Sequence, residues 1–302
     1  MLGKTHNLIL TQFVYNSGIL PVYFFINFKP QNKEILVTGY KPPQIKHLYG
    51  PNIHILDDPL ALTLLAKLCS QETIQPKINR LVAALYRQMI CTIISAELPT
   101  AKISMPTRML EHTPRGVWNG NIIDDIKTVI VCVARAGIFP SQVCYDFLNE
   151  IVDPTGIRQD HLLMGRTTDP EGHVNGAAIQ GAKIGGDIEG RTLVIPDPMG
   201  ATGTTADTVM RHYQDEVEGD QKKTVAAHLI ITPESITNLK EKWPNLIIYA
   251  YRLDMGLSPD EILDDPDYIP GSQPDKEQGL NEHGYIVPGG GGFGEVMNNA
   301  FV

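Results

Sequence analysis

The stretch Thr192-Leu-Val-Ile-Pro-Asp197-Pro198-Met199-Gly200-Ala201-Thr202-Gly203-Thr204-Thr205 restricts the fold more than any other part of the chain. An apolar run ends in a carboxylate, passes into a loop of small and hydroxyl residues, and continues into a helix-like pattern from Ala206 to Tyr213. A buried strand that delivers such a loop to a helix N-terminus presents the first free N–H groups of that helix to whatever binds there. Gly200, Ala201 and Gly203 allow close approach of the backbone, and Thr202, Thr204 and Thr205 add hydroxyls. The expected result is a phosphate cradle, with Asp197 at the strand mouth accepting hydrogen bonds from sugar hydroxyls.

The surrounding pattern is β then α. Apolar strands are expected at 128–133, 192–196, 224–231 and 246–251, and helices at 140–151, opened by Pro140, and 233–242, after Thr232. Continuous apolar strands alternating with helices predict an α/β fold, a parallel sheet covered on both faces. Ligands of such sheets sit at the carboxyl ends of the strands. The tight turn Arg135-Ala136-Gly137 and the 197–205 loop both fall there and share one crevice. Leu60, Leu62, Leu64, Leu65 and Leu68 predict one helix, and Ile78, Leu81, Val82, Leu85 and Met89 a second, with a break at 71–75. Residues 1–45 read as a β extension with short strands at 7–13, 21–28 and 34–40. Residues 258–278 form an acidic insert, with seven carboxylates against Lys276, and are expected to be a solvated surface loop.

Composition removes several function classes. A net charge of −9 argues against a broad nucleic-acid surface, and no nucleic-acid partner is expected. Cys69, Cys91, Cys132 and Cys144 lack metal-binding spacing and read as buried thiols in a reducing compartment. No apolar run reaches the length of a membrane span, and the first residues lack the pattern of a signal peptide, so the expectation is a cytoplasmic protein. Gly176 to Lys183 fails as a P-loop, because Ala182 precedes the lysine and no Ser or Thr follows it. Gly289 to Gly294 satisfies G-x-G-x-x-G, but no strand of a βαβ unit precedes it. A lone histidine such as His283 reads as a surface residue.

The loop Asp197-Pro-Met-x-Ala-Thr-Gly203 resembles the phosphoribosyl-diphosphate loop of type I phosphoribosyltransferases, in the form found in uracil phosphoribosyltransferases, where proline follows the first carboxylate. Val117-Trp-Asn-Gly120, Ala134-Arg-Ala-Gly137, Met164-Gly-Arg166, Asp187-Ile-Glu-Gly-Arg191, Thr232-Pro-Glu234 and Gly279-Leu-Asn-Glu-His-Gly-Tyr-Ile-Val-Pro-Gly289 are similar to the same family in the same order. The resemblance covers roughly 50–302, interrupted by the insert. It implies a transferase-like domain over 46–302, ending in a C-terminal hood.

The resemblance also implies the site. The 5-phosphate of 5-phosphoribosyl 1-diphosphate (PRPP) would lie on Ala201, Thr202, Gly203, Thr204 and Thr205, and Asp197, with Pro198, Met199 and Gly200 beside it, would hold the ribose. Arg135, Ala136, Gly137 and Arg166 would contact the diphosphate, for which guanidinium groups suit by bidentate pairing; Lys183 aligns with a family lysine. Main-chain groups at Ile286, Gly291, Gly292 and Phe293 would read the uracil edge. Mg²⁺ would be held by PRPP, with no metal ligand from protein side chains. No residue is assigned as general base. A homodimer or larger homo-oligomer is implied; the N-terminal β segment lies outside the resemblance and is a candidate contributor to the interface.

The chain departs from its relatives at the hood. The family's Pro-Gly-x-Gly-Asp-Ala-Gly-Asp becomes Pro288-Gly-Gly-Gly-Gly292-Phe293-Gly-Glu295, and within the phosphate loop Gly200 and Thr204 replace the usual leucine and glycine. The leading expectation is transfer of phosphoribosyl to uracil. Two other readings fit the departures: a catalytically weakened relative that binds PRPP or a nucleotide and regulates, and a transferase for a different base.

Overall fold

A computed structural model describes residues 35–36, 39–124, 126–168 and 174–300. The strands expected at 7–13 and 21–28 lie outside the described residues. Of the third, β1 (Ile35–Leu36) is described and pairs antiparallel with Ala101 and Thr100.

The chain then runs through β2 (Ile53–Ile55), α1 (Pro59–Leu68) and α2 (Lys77–Glu97). Asp58 caps α1 by accepting the Ala61 N–H at 3.0 Å, and Pro59 occupies the first helical position, where its missing N–H costs nothing. Next comes the hairpin of β3 (Thr100–Pro106) and β4 (Val117–Ile123), which with β1 forms a small separate sheet. The main sheet takes β5 (Thr128–Ala134), followed by α3 (Ile138–Ile151), then the antiparallel pair β6 (Ile157–Thr168) and β7 (Val174–Lys183). β8 (Thr192–Pro196), the two-residue β9 (Met199–Gly200), α4 (Thr204–Glu216), β10 (Lys223–Ile231), α5 (Pro233–Lys242) and β11 (Ile247–Leu253) complete it. Short helices α6 (Asp260–Leu263) and α7 (Phe293–Val296) follow.

The strand order is β2-β11-β10-β8-β5-β6-β7, parallel throughout except for β7. Ile130 and Val194 face α2 and α3 through Met89, Ile93 and Leu148. Val129, Val131, Leu193 and Ile195 face α4 and α5 through Val209, Tyr213, Ile236 and Leu239. Both faces are dry, which is why these strands read as unbroken apolar runs. From β5 the chain goes to β6 on one side and reaches β8 on the other, so strand order reverses between β5 and β8. That is where a doubly covered sheet opens a crevice. No helix among the described residues is long and apolar enough to cross a membrane.

Three expectations are corrected. Helix α3 starts at Ile138, so Pro140 sits within its first turn, where the missing N–H has no intrahelical partner to lose. Only Cys132 and Cys144 are buried; Cys69 is partly exposed and Cys91 exposed, and all four are unpaired. The acidic insert is not wholly solvated. Glu277 is 2% exposed and accepts hydrogen bonds from the Tyr49 and Tyr268 hydroxyls and, at 2.6 Å, from the Gly271 amide. Its outer carboxylates follow the solvated pattern, but this one fastens the segment to the body by paired donors.

Candidate active site

The cradle is built from the end of β8. Met199 and Gly200 pair with Ile230 and Ile231 of β10, so the loop is itself a strand of the sheet. Gly203 then takes φ +77°, a left-handed turn that starts α4. The loop carbonyls are turned back into α5: Gly200 accepts the Thr232 N–H at 3.1 Å, Ala201 the Thr232 hydroxyl at 2.6 Å, and Thr202 the Asn238 amide at 2.8 Å. Thr232 also caps α5, accepting the Ser235 N–H at 3.1 Å. With the carbonyl dipoles directed away, the first turn of α4 offers its N–H groups to an anion. The Thr202 and Thr204 hydroxyls, 2.8 Å apart, stand at the rim.

Asp207, in that first turn, would oppose an anion if left uncompensated. It is held by Lys242 at 2.8 Å, the Trp243 indole at 2.9 Å and Arg211 at 3.1 Å. Burial would raise its carboxyl, but these three outweigh burial and keep it below the usual carboxylate range.

Arg135, Ala136, Gly137, Gly165, Asp197 and Thr205 line one cleft of about 170 Å³. Asp197 is 8% exposed, and burial pushes its carboxyl up to about 7, against a hydrogen bond from Met199 that lowers it. A sugar hydroxyl donating to this carboxylate would favour its charged form. The Gly137 N–H closes the turn on the Val133 carbonyl at 2.9 Å. The Arg135 side chain is 42% exposed, with Nη2 3.7 Å from Glu295 and Nη1 donating to the Ala300 carbonyl at 3.3 Å. Glu295, one of the hood departures, is therefore the carboxylate that an incoming anion competes with for Arg135.

Of the other expected site residues, Arg166 lies on β6 opposite Ala177, beside the Gly165 wall; its side chain lies outside the described residues. Lys183 ends β7 opposite His161 and lines a different hollow with Cys132 and Gln159, so it is not brought into the cleft. In the hood, Gly292 opens α7, and Gly294 approaches Arg135, since a Cβ there would lie 3.8 Å from the Arg135 Cβ. The Phe293 ring is 2% exposed, packed in the core, so this residue offers a ligand its main chain rather than its ring. Ile286 is partly buried against the same core.

Two supporting residues carried no sequence signal for their roles. His228 is buried under the loop, its Nδ1–H donating to the Asp197 carbonyl at 2.6 Å; burial lowers its pKa to about 4, so it is neutral at pH 7. Its ring explains Gly200: a Cβ there would lie 3.1 Å from the imidazole and 3.0 Å from Ile231. Glu234 accepts the amides of Gly279 and Leu280 at 2.8 and 3.1 Å, tying the start of the hood to the helix that backs the cradle. At Gly203 a Cβ would meet Leu239 Cγ at 2.8 Å in a left-handed backbone. Gly203→Ala is expected to destabilise the fold by roughly 1–3 kcal/mol, read by thermal melting. An unshifted melt would show that the loop relaxes freely.

The model of the family described as uracil phosphoribosyltransferase matches residues 55–264. The chain belongs to that family. It is by class a pentosyl-transferring glycosyltransferase, with the expected α/β fold. A uracil phosphoribosyltransferase of Dictyoglomus thermophilum is 27% identical over 244 residues, covering 80% of this chain and 97% of the relative. One from Caldanaerobacter subterraneus subsp. tengcongensis is 28% identical, covering 82% and 97%. The solved AQ2163 protein from Aquifex aeolicus shares the fold, with TM-score 0.62 at 21% identity, over 83% of this chain and 99% of its own. The family match spans the 197–205 loop and ends at residue 264, before the hood.

Proposed function

We propose that the protein transfers the 5-phosphoribosyl group of PRPP to uracil, giving UMP and pyrophosphate, as a pyrimidine-salvage enzyme of the cytoplasm. The convergence of the α4 N-terminus, Asp197 and Arg135 on one cleft carries this reading. The bond formed joins uracil N1 to ribose C1; the bond broken is C1–O to the diphosphate, which leaves with the electron pair. The N1 proton goes to solvent, since no general base is assigned. Charge builds on the ribosyl oxocarbenium and on the leaving oxygens, so fixed donors aimed at the diphosphate act in the transition state.

In this reading the amides of 201–205 seat the 5-phosphate and Asp197 orients the ribose. Arg135 and Arg166 take the diphosphate, Arg135 by exchanging Glu295 for it. Main-chain groups at Ile286, Gly291, Gly292 and Phe293 read the base. No group of three or more His, Cys, Asp or Glu that could hold a metal ion occurs among the described residues, and Asp197 is the carboxylate lining the cleft. One carboxylate fits Mg²⁺ liganded mostly by substrate and water oxygens; the ion, when bound with PRPP, neutralises diphosphate charge. A homodimer or larger homo-oligomer belongs to the same proposal.

The pairing of Glu295 with Arg135 favours a second reading, a PRPP- or nucleotide-binding regulator with weak turnover; a transferase for another base is a third. Pyrophosphate release is measured with PRPP, Mg²⁺ and a panel of bases. Release with uracil supports the proposal, release with another base alone replaces uracil, and PRPP binding without release favours the regulator.

A further inference from the structure

The run Gly289–Gly292 has no side chains with which to fix its own path, and glycine loses more backbone freedom on ordering than any other residue. Its two ends are nevertheless held. The Gly292 carbonyl accepts the amides of Glu295 and Val296 at 3.1 and 2.9 Å. Gly289 is gripped on both sides: its N–H donates to Asp254 Oδ2 at 2.8 Å, and its carbonyl accepts Arg252 Nη2 at 2.9 Å. Arg252 and Asp254 are themselves joined bidentately, at 2.6 and 2.8 Å. Asp254 is 2% exposed just past the end of β11, where its amide donates to the Ile231 carbonyl at 2.8 Å. Between the two anchors, the amides and carbonyls of Gly290 and Gly291 have no hydrogen-bond partner among the described residues.

An ion pair with a buried member is a weak device for stability alone, because desolvation offsets its attraction. Here the pair directs further bonds to both main-chain groups of one glycine, and that glycine begins the segment with free donors and acceptors. We infer that Arg252 and Asp254 are positioning residues for the base: by clamping Gly289 they hold the unpaired main-chain groups of Gly290 and Gly291 in one geometry, suited to the edge of a neutral planar heterocycle. This rests on the transferase reading for the identity of the ligand. The pair acts through the loop and touches no reacting atom. Preorganisation of this kind lowers the ordering cost of binding at the base side and leaves the phosphate cradle untouched.

The test is Arg252→Met, which keeps the length and apolar stem of the side chain and removes its donors. The KM for uracil is expected to rise about tenfold or more, as loss of charge-assisted hydrogen bonds implies. The KM for PRPP and the kcat at saturating uracil stay within about twofold, the scatter expected where the cradle keeps its contacts. Arg252→Lys, which restores the charge and one donor, recovers part of the loss. Amide hydrogen exchange supplies a readout that needs no turnover: exchange at Gly289, whose N–H is bonded to Asp254, accelerates in Arg252→Met while that at 203–205 does not. An unchanged uracil KM, a parallel rise in both KM values, or unaltered exchange at Gly289 would overturn the inference. If the wild type releases no pyrophosphate with any base, the transferase reading fails, and the exchange comparison still decides whether the clamp exists. Should Arg252→Met not fold, Asp254→Asn removes the charge at the other side of the clamp and is read in the same way.

Discussion

Arg135→Ala is expected to lower kcat by roughly 10²–10³-fold, the loss typical of one pre-organised contact to developing charge, while the melting temperature stays within about 2 °C, as for a surface substitution in a domain of this size. The stability part follows from the surroundings. The side chain is 42% exposed, and its partners are a carboxylate at 3.7 Å and one carbonyl at 3.3 Å, contacts worth little in solvent. The catalytic part follows from the cleft, where the turn carrying Arg135 shares a wall with Asp197 and Thr205. In the proposed reaction a guanidinium there would meet the diphosphate oxygens as they gain charge, and alanine would leave them to water. Single-turnover measurement at saturating PRPP separates this from weaker binding. A near-normal rate would remove Arg135 from the reaction.

Asp197→Asn is expected to change how stability depends on pH. Burial holds the Asp197 carboxyl near 7, whereas in the unfolded chain it titrates near 4. Between those values the folded protein keeps a proton that the unfolded chain releases, so this residue makes stability fall as pH rises from about 4 to about 7, by on the order of 3–4 kcal/mol. His228, beneath the same loop, has the opposite slope. Its folded pKa of about 4 lies below the unfolded value near 6.5, so stability rises with pH over that span. The two partly cancel in the wild type. In Asp197→Asn the opposing carboxyl slope is gone, and the unliganded variant gains on the wild type steadily from pH 4 to pH 7; in the proposed reading the KM for PRPP rises about tenfold or more through loss of a charge-assisted bond to ribose. Denaturant unfolding of both proteins across that range decides the matter. A stability difference independent of pH would show that Asp197 titrates normally.

The parts of the fold that were legible in the sequence were those with a local physical cause. Strands β5, β8, β10 and β11 are buried on both faces and read as apolar runs; α1 and α5 announce themselves by Asp58-Pro59 and Thr232-Pro233. The geometry of the 197–205 loop was legible because its carboxylate, left-handed glycine and hydroxyls are contiguous in sequence. The antiparallel pair β6–β7 was missed: His161 and Leu163 are exposed on β6, and Ala178 and Gln180 on β7, so no apolar periodicity marks it. The Arg252–Asp254 grip on Gly289 joins residues 37 and 35 positions apart, and the His228 bond to Asp197 spans 31. Such contacts are made by sheet order and leave no trace in local spacing. The same holds for Glu277, whose place in an acidic run concealed that it turns inward to Tyr49.

Because Met199 and Gly200 are paired with Ile230 and Ile231 of β10, the entry to the proposed donor seat is laid down as part of the sheet. The disorder surrendered at that end of the reaction is given up once, when the chain folds, and not again at each turnover.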